Sequence, residues 1–112
     1  MIQSYAIVYG MKHKKEIYLS FDVESDGPCP GLNNLLSMGW AAFSDETGDN
    51  VLSTFERNLD LLPDCSSHPE TDKFWDKNRF QYALTRENTV DPETAFNDLN
   101  DWIRKTFPPN KH

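Results

Sequence analysis

The sequence predicts a small α+β domain: a three-stranded antiparallel meander followed by two to three helices. Three observations carry this expectation. Residues Ile17 to Glu24 alternate apolar and polar side chains, the period of a strand with one buried face. The segments between the first apolar runs are short and rich in Gly, Pro, Asp and Asn, which suits hairpins rather than long crossovers. After Pro63 the pattern turns helical and ends in a segment with a full set of helix-start signals. Strands first and helices second define an α+β chain or an interrupted α/β unit.

The elements follow in order. Residues 1–10, Met-Ile-Gln-Ser-Tyr-Ala-Ile-Val-Tyr-Gly, are β-prone, and Met11 and the basic run Lys12-His13-Lys14-Lys15 come next. Residues 1–15 read as an extra strand or as an N-terminal extension of a domain that starts near Met11. The exposed character of the basic run favours the extension. The domain proper spans 16–107, and 108–112 form a tail. Along the first strand, Ile17, Leu19, Phe21 and Val23 share one face, and Tyr18, Ser20, Asp22 and Glu24 the other. Ser25 to Gly31 is a loop on its Gly and Pro content. Leu35 to Phe43 is a more apolar, central strand. Ser44 to Asn50 is a polar turn, and Val51 to Leu59 the third strand.

Asp64 to Pro69 is a loop, Glu70 to Lys77 a short helix carrying Phe74 and Trp75, and Arg79 to Arg86 another helical piece. Asp91 then suits an N-cap, Pro92 the first helical position and Glu93 the acidic first turn. Phe96, Leu99, Trp102 and Ile103 fall close to one face of this helix, and Pro108-Pro109 stop it.

A length of 112 residues suits one small domain. The net charge is −7, and no basic footprint exists beyond Lys12 to Lys15. Passive gripping of a phosphate backbone is therefore disfavoured. An enzyme that holds phosphates through bound cations is less constrained, because the ions bring the positive charge. Cys29 and Cys65 form no C-x-x-C and no zinc pattern; with no secretory signal the expectation is a cytoplasmic protein with reduced thiols, the alternative being a disulfide in an exported protein. The longest apolar stretch, around Leu35 to Phe43, is too short to span a bilayer, and no membrane partner is expected.

The candidate chemistry lies at Asp22-Val23-Glu24. Two carboxylates on one strand face repel unless a cation sits between them. Mg²⁺ and Mn²⁺ favour oxygen ligands, and two ions about 3.5–4 Å apart can activate water against a phosphodiester. The same pattern also describes the solvent face of any amphipathic strand. His68 reads as a loop residue and Asp98 and Asp101 as solvated helix positions. Trp40, Trp75 and Trp102 read as core. Cys29 has no His close in sequence, so nothing marks it as a nucleophile.

The order of motifs adds to this. Phe21-Asp22-Val23-Glu24-Ser25-Asp26-Gly27 leads into Leu35-Leu36-Ser37-Met38-Gly39-Trp40-Ala41. The turn Asp45 to Gly48, Thr71 with Phe74-Trp75, and Trp102-Ile103 in the capped helix follow. Over roughly residues 16–106 the chain resembles the front half of DEDD-type 3′–5′ exonucleases of ribonuclease-H-like fold. It looks most like the exoribonuclease branch related to ribonuclease T. The resemblance implies Asp22 as the ligand shared by two Mg²⁺ or Mn²⁺ ions and Glu24 as a ligand of the ion holding the attacking water. It implies Gly27 and Leu32 in the pocket for the 3′-terminal nucleotide, with the 3′ end of single-stranded RNA or DNA as substrate.

The family also uses a third carboxylate on a later strand and a fourth after a His or Tyr. Nine residues follow Ile103, and they supply neither. The expectation is thus a partial exonuclease-like domain, weak or inactive as this chain. The alternatives are a catalytically inactive acidic interaction module, and a fragment or shortened gene product. In the family the first strand has a parallel neighbour on its free side. Here residues 2–9, or a second copy in a homodimer, are expected to cover that edge.

Overall fold

The computed structural model describes residues 2–10, 16–44 and 49–107. The α+β expectation is borne out. Four strands, β1 (Ile2–Gly10), β2 (Glu16–Ser25), β3 (Leu35–Phe43) and β4 (Val51–Asn58), precede three helices, α1 (Pro69–Lys77), α2 (Arg79–Thr85) and α3 (Pro92–Thr106). The sheet order is β1-β2-β3-β4, and every pairing is antiparallel. The expected three-stranded meander is β2 to β4. Residues 2–10 form a strand: β1 pairs along β2 from Ile2 opposite Glu24 to Gly10 opposite Glu16. Met11 with the basic run 12–15, the tip of the turn, 45–48, and the tail 108–112 with its Pro108-Pro109 stop lie outside the described residues.

The alternation in β2 does what a period of two demands. Leu19 is buried, and Val23 packs against a core of Met38, Phe55, Leu59, Ala95 and Leu99. Cross-strand partners share a face, so Val23, Met38 and Arg57 form one row, and Phe21, Trp40 and Phe55 the next. Phe21 and Trp40 stack with centroids 4.3 Å apart. α3 covers this face. It buries Ala95 and Leu99 and sets the Trp102 ring 5.7 Å from that of Phe55. Phe96, expected on the same face, is 44 % exposed and borders a cavity on the α3 side of the sheet. Asp98, expected to be solvated, lies 3.3 Å from the Arg57 guanidinium, although an ion pair this exposed adds little stability.

The three tryptophans meet different fates. The Trp75 Nε1–H donates to the Ser25 carbonyl at 2.9 Å, and that of Trp102 to Ser53 Oγ at 2.8 Å. The buried Trp40 Nε1 has no acceptor among the described residues.

The β2–β3 loop is held by a buried clasp. Asp26 and Asn34 are 6 % and 5 % exposed. Asn34 donates to the Asp26 carboxylate from its backbone N–H and its Nδ2, and the Asp26 N–H donates to the Asn34 carbonyl. The clasp reaches outward as well. The His68 N–H donates to the Asp26 carbonyl, and the Leu62 N–H to Asn34 Oδ1. These bonds tie the loop to the β4–α1 connection and to the start of α1. His68 itself is the N-cap of α1, its Nδ1 accepting from the Glu70 N–H at 3.2 Å.

A second tie holds α2. Asn58 Nδ2 donates to the carbonyls of Leu84 and Glu87, and Arg86 Nη2 to that of Leu36. Burial pushes the Arg86 guanidinium below its ordinary value, and Tyr82, Asp26 and Asp60 oppose that shift. Asn88 takes the left-handed conformation, φ 49°, which Asn tolerates better than most residues. The chain then returns beside Leu59 through a parallel bridge at Val90 and enters α3.

Two predictions follow from these ties. Asp26→Ala leaves two Asn34 donors buried without acceptors, so unfolding in urea should show a loss of about 2–4 kcal/mol. At the start of α3 the Asp91 carboxylate accepts from the Thr94 hydroxyl and from the N–H groups of Thr94 and Glu93. The Thr94 side chain and backbone, then the Glu93 N–H, hold its pKa below the ordinary value against a small opposing effect of burial. A carboxyl with a lowered folded pKa contributes stability above the ordinary carboxylate range and loses it as pH falls through the folded value. Melting temperatures of the parent should therefore drop more steeply in acid than those of Asp91→Asn.

Candidate functional site

The register decides what surrounds Asp22 and Glu24. Asp22 stands opposite Gly39, which stands opposite Glu56; Glu24 stands opposite Ser37, which stands opposite Asn58. All six belong to the sheet face turned away from α3, because opposite residues share a face and the alternate rows build the core. Asp22 is exposed and Glu24 half-buried. The Ser37 hydroxyl donates to Glu24 Oε2 at 3.4 Å, a long and weak bond. Gly39 leaves the space between Asp22 and Glu56 without a side chain. A Cβ there would meet only Glu56 Cγ, at 4.0 Å.

This geometry limits the chemistry. Residues two apart on a strand are separated by about 6.5–7 Å along the backbone, so Asp22 and Glu24 can flank one hydrated cation. Glu56 stands two strands from Asp22, about 10 Å away at the backbone. Among the described residues, no group of three or more His, Cys, Asp or Glu side chains is placed to hold a metal ion. The pair therefore offers two carboxylates, hard oxygen donors of the kind Mg²⁺ and Mn²⁺ take.

A third carboxylate in the sequence, Asp26, continues the spacing of Asp22 and Glu24 but not their face. The pairing register shifts between Glu24 and Ser25, and the Ser25 hydroxyl donates to the Gly27 carbonyl at 2.9 Å in a tight bend. Asp26 is thereby turned inward to Asn34. Sequence reasoning passed over it, and only the spacing Asp-x-Glu-x-Asp could have drawn notice. That spacing would have suggested the wrong role.

Gly27 and Leu32 come apart in space. Gly27 is buried, and a Cβ on it would fall 2.2–2.6 Å from the Asn33 side chain. It lines a cavity of about 330 Å³ together with Val23, Leu35, Leu59, Pro92 and Phe96. Those residues belong to the α3 side of the sheet, and neither Asp22 nor Glu24 is in the wall. Leu32 is 67 % exposed and stands outside it. Cys29 and Cys65 are free thiols on the rim of the same cavity, and the Cys65 Sγ lies 3.7 Å from the Gly31 carbonyl oxygen. The acid pair and the cavity thus occupy opposite sides of the end of β2.

The Asn33 side chain explains why residue 27 is glycine. It accepts from the Cys29 N–H at 2.9 Å and donates to the Ser66 carbonyl at 2.7 Å. Gly27→Ala should displace it and cost about 1–3 kcal/mol by urea unfolding. Leu32→Ala should stay within about 0.5 kcal/mol of the parent.

No helix among the described residues is long and apolar enough to cross a membrane. No protein-family model, curated protein or solved structure matches this chain.

Proposed function

We propose that this chain is a DEDD-like 3′–5′ exonuclease-type domain in which Asp22 and Glu24 form the first half of a two-metal centre. The substrate class is the 3′ end of single-stranded RNA or DNA. One observation carries the proposal: both carboxylates project from the end of β2 onto an open sheet face, Asp22 exposed and Glu24 beside Ser37. The same strand-then-helix order that carries the resemblance surrounds them. Asp22 would be the ligand common to both ions, and Glu24 would hold the ion nearer the attacking water. Bound Mg²⁺ or Mn²⁺ would offset the net charge of −7 against a polyanion and lower the pKa of a coordinated water. The residues themselves supply oxygen donors, and Gly39 puts no side chain between Asp22 and Glu56.

Two carboxylates hold a pair of ions poorly, so as this chain the domain is weak or inactive. A second reading, a non-catalytic acidic interaction module, is favoured by the pairing of β1. It runs antiparallel along β2, on the edge where the resemblance implies a parallel neighbour.

Metal titration and a labelled oligonucleotide separate these readings. The expected result is a micromolar-range Mn²⁺ site that Glu24→Gln removes, with little or no trimming of a single-stranded 3′ end. Absence of any Mn²⁺ binding would favour the interaction module. Robust Mn²⁺-dependent trimming that Asp22→Ala abolishes would show that two carboxylates suffice.

A further inference from the structure

β1 covers the free edge of β2 and in doing so becomes an edge itself. It is terminal in the sheet order. In an antiparallel pair alternate residues direct their N–H and C=O groups at the partner. Roughly half of the nine residues of β1 therefore aim both groups away from β2, and no strand among the described residues meets them.

The two edges of the sheet differ in their protection. β4, at the other edge, carries Glu56 and Arg57, charges of the kind that block edge-to-edge pairing. The sequence of β1, IQSYAIVYG, has no charge and no proline. This stands out in a chain with 11 basic and 18 acidic residues among 112.

We propose that a second copy of this chain pairs antiparallel along β1, joining two four-stranded sheets into one of eight strands. A strand meeting its own copy in reverse is always self-complementary, and a two-fold axis closes the contact at two chains. The net charge of −7 on each copy opposes association, and the contact uses the segment to which neither copy brings charge. A two-fold axis that pairs antiparallel strands stands perpendicular to the sheet, so both acid pairs fall on the same face. β2 and its counterpart are then three strand spacings apart, about 14 Å. Ions about 3.5–4 Å apart cannot be shared across that gap. The second copy therefore satisfies the edge and does not complete the metal centre.

Light scattering on the full chain over a range of concentrations tests this. The expected result is a rise from 13.0 kDa to twice that mass. In the fully overlapped register Ala6 meets its own copy, and within the chain it stands opposite Ser20. Ala6→Lys then places two like charges together and should weaken association at least tenfold, with unchanged far-ultraviolet circular dichroism. Hydrogen exchange on the unmodified chain gives an independent readout: amides in Ile2–Gly10 should gain protection as concentration rises. A mass that stays at 13.0 kDa, exchange in β1 indifferent to concentration, or a folded Ala6→Lys that still dimerises would each overturn the proposal.

Discussion

The hydrogen-bonded clasp between Asp26 and Asn34 is the constraint on which the site end of the molecule depends. A buried carboxylate is tolerable only when its oxygens are satisfied, and here one asparagine serves both of them. That requirement closes the β2–β3 loop to a fixed length. The outward bonds from His68 and Leu62 then place the β4–α1 connection against the loop, and His68 starts α1. The loop, the connection and the start of the first helix are thus tied together at one buried side-chain pair. Trp75 adds a second anchor at the same place by donating to the Ser25 carbonyl.

The sheet is built with unequal faces. One carries Met38, Phe55, Leu19 and Val23 and lies under α3; the other carries Asp22, Glu24, Ser37, Gly39 and Glu56. Asp22 is solvent-exposed on the second. The apolar cavity forms on the first, where the loop, the start of α3 and the segment after β4 converge. Solvation thus divides the two features between opposite sides of one strand end. Any ligand that used both would have to pass around that end.

Legibility followed the range of the interactions. Alternation in residues 17–24 revealed β2 and its faces, because a period of two is imposed residue by residue. Asp91, Pro92 and Glu93 announced α3 for the same reason: the cap bonds span two or three positions. Residues 1–10 were harder, since a β-prone segment becomes a strand only if an edge is waiting, and the edge belonged to β2. Phe96 keeps to the sheet side of α3 but borders the cavity beside Val23, Leu35 and Leu59, so it stays partly exposed. Asp98 found Arg57 from a strand 41 residues away. Local periodicity encodes neither outcome.

By itself the sequence determined the α+β order, the three-strand meander, the capped last helix and the common face of Asp22 and Glu24. All of these rest on side-chain periods and capping bonds a few residues long. Only the tertiary structure decided that β1 closes the edge of β2 and that Asp26 turns inward to Asn34. It also decided that Gly27 lines a cavity while Leu32 faces solvent, and that this cavity lies behind the acid pair. These depend on register, on the bend after Glu24 and on which buried polar groups find each other, and such pairings form only when distant segments pack together.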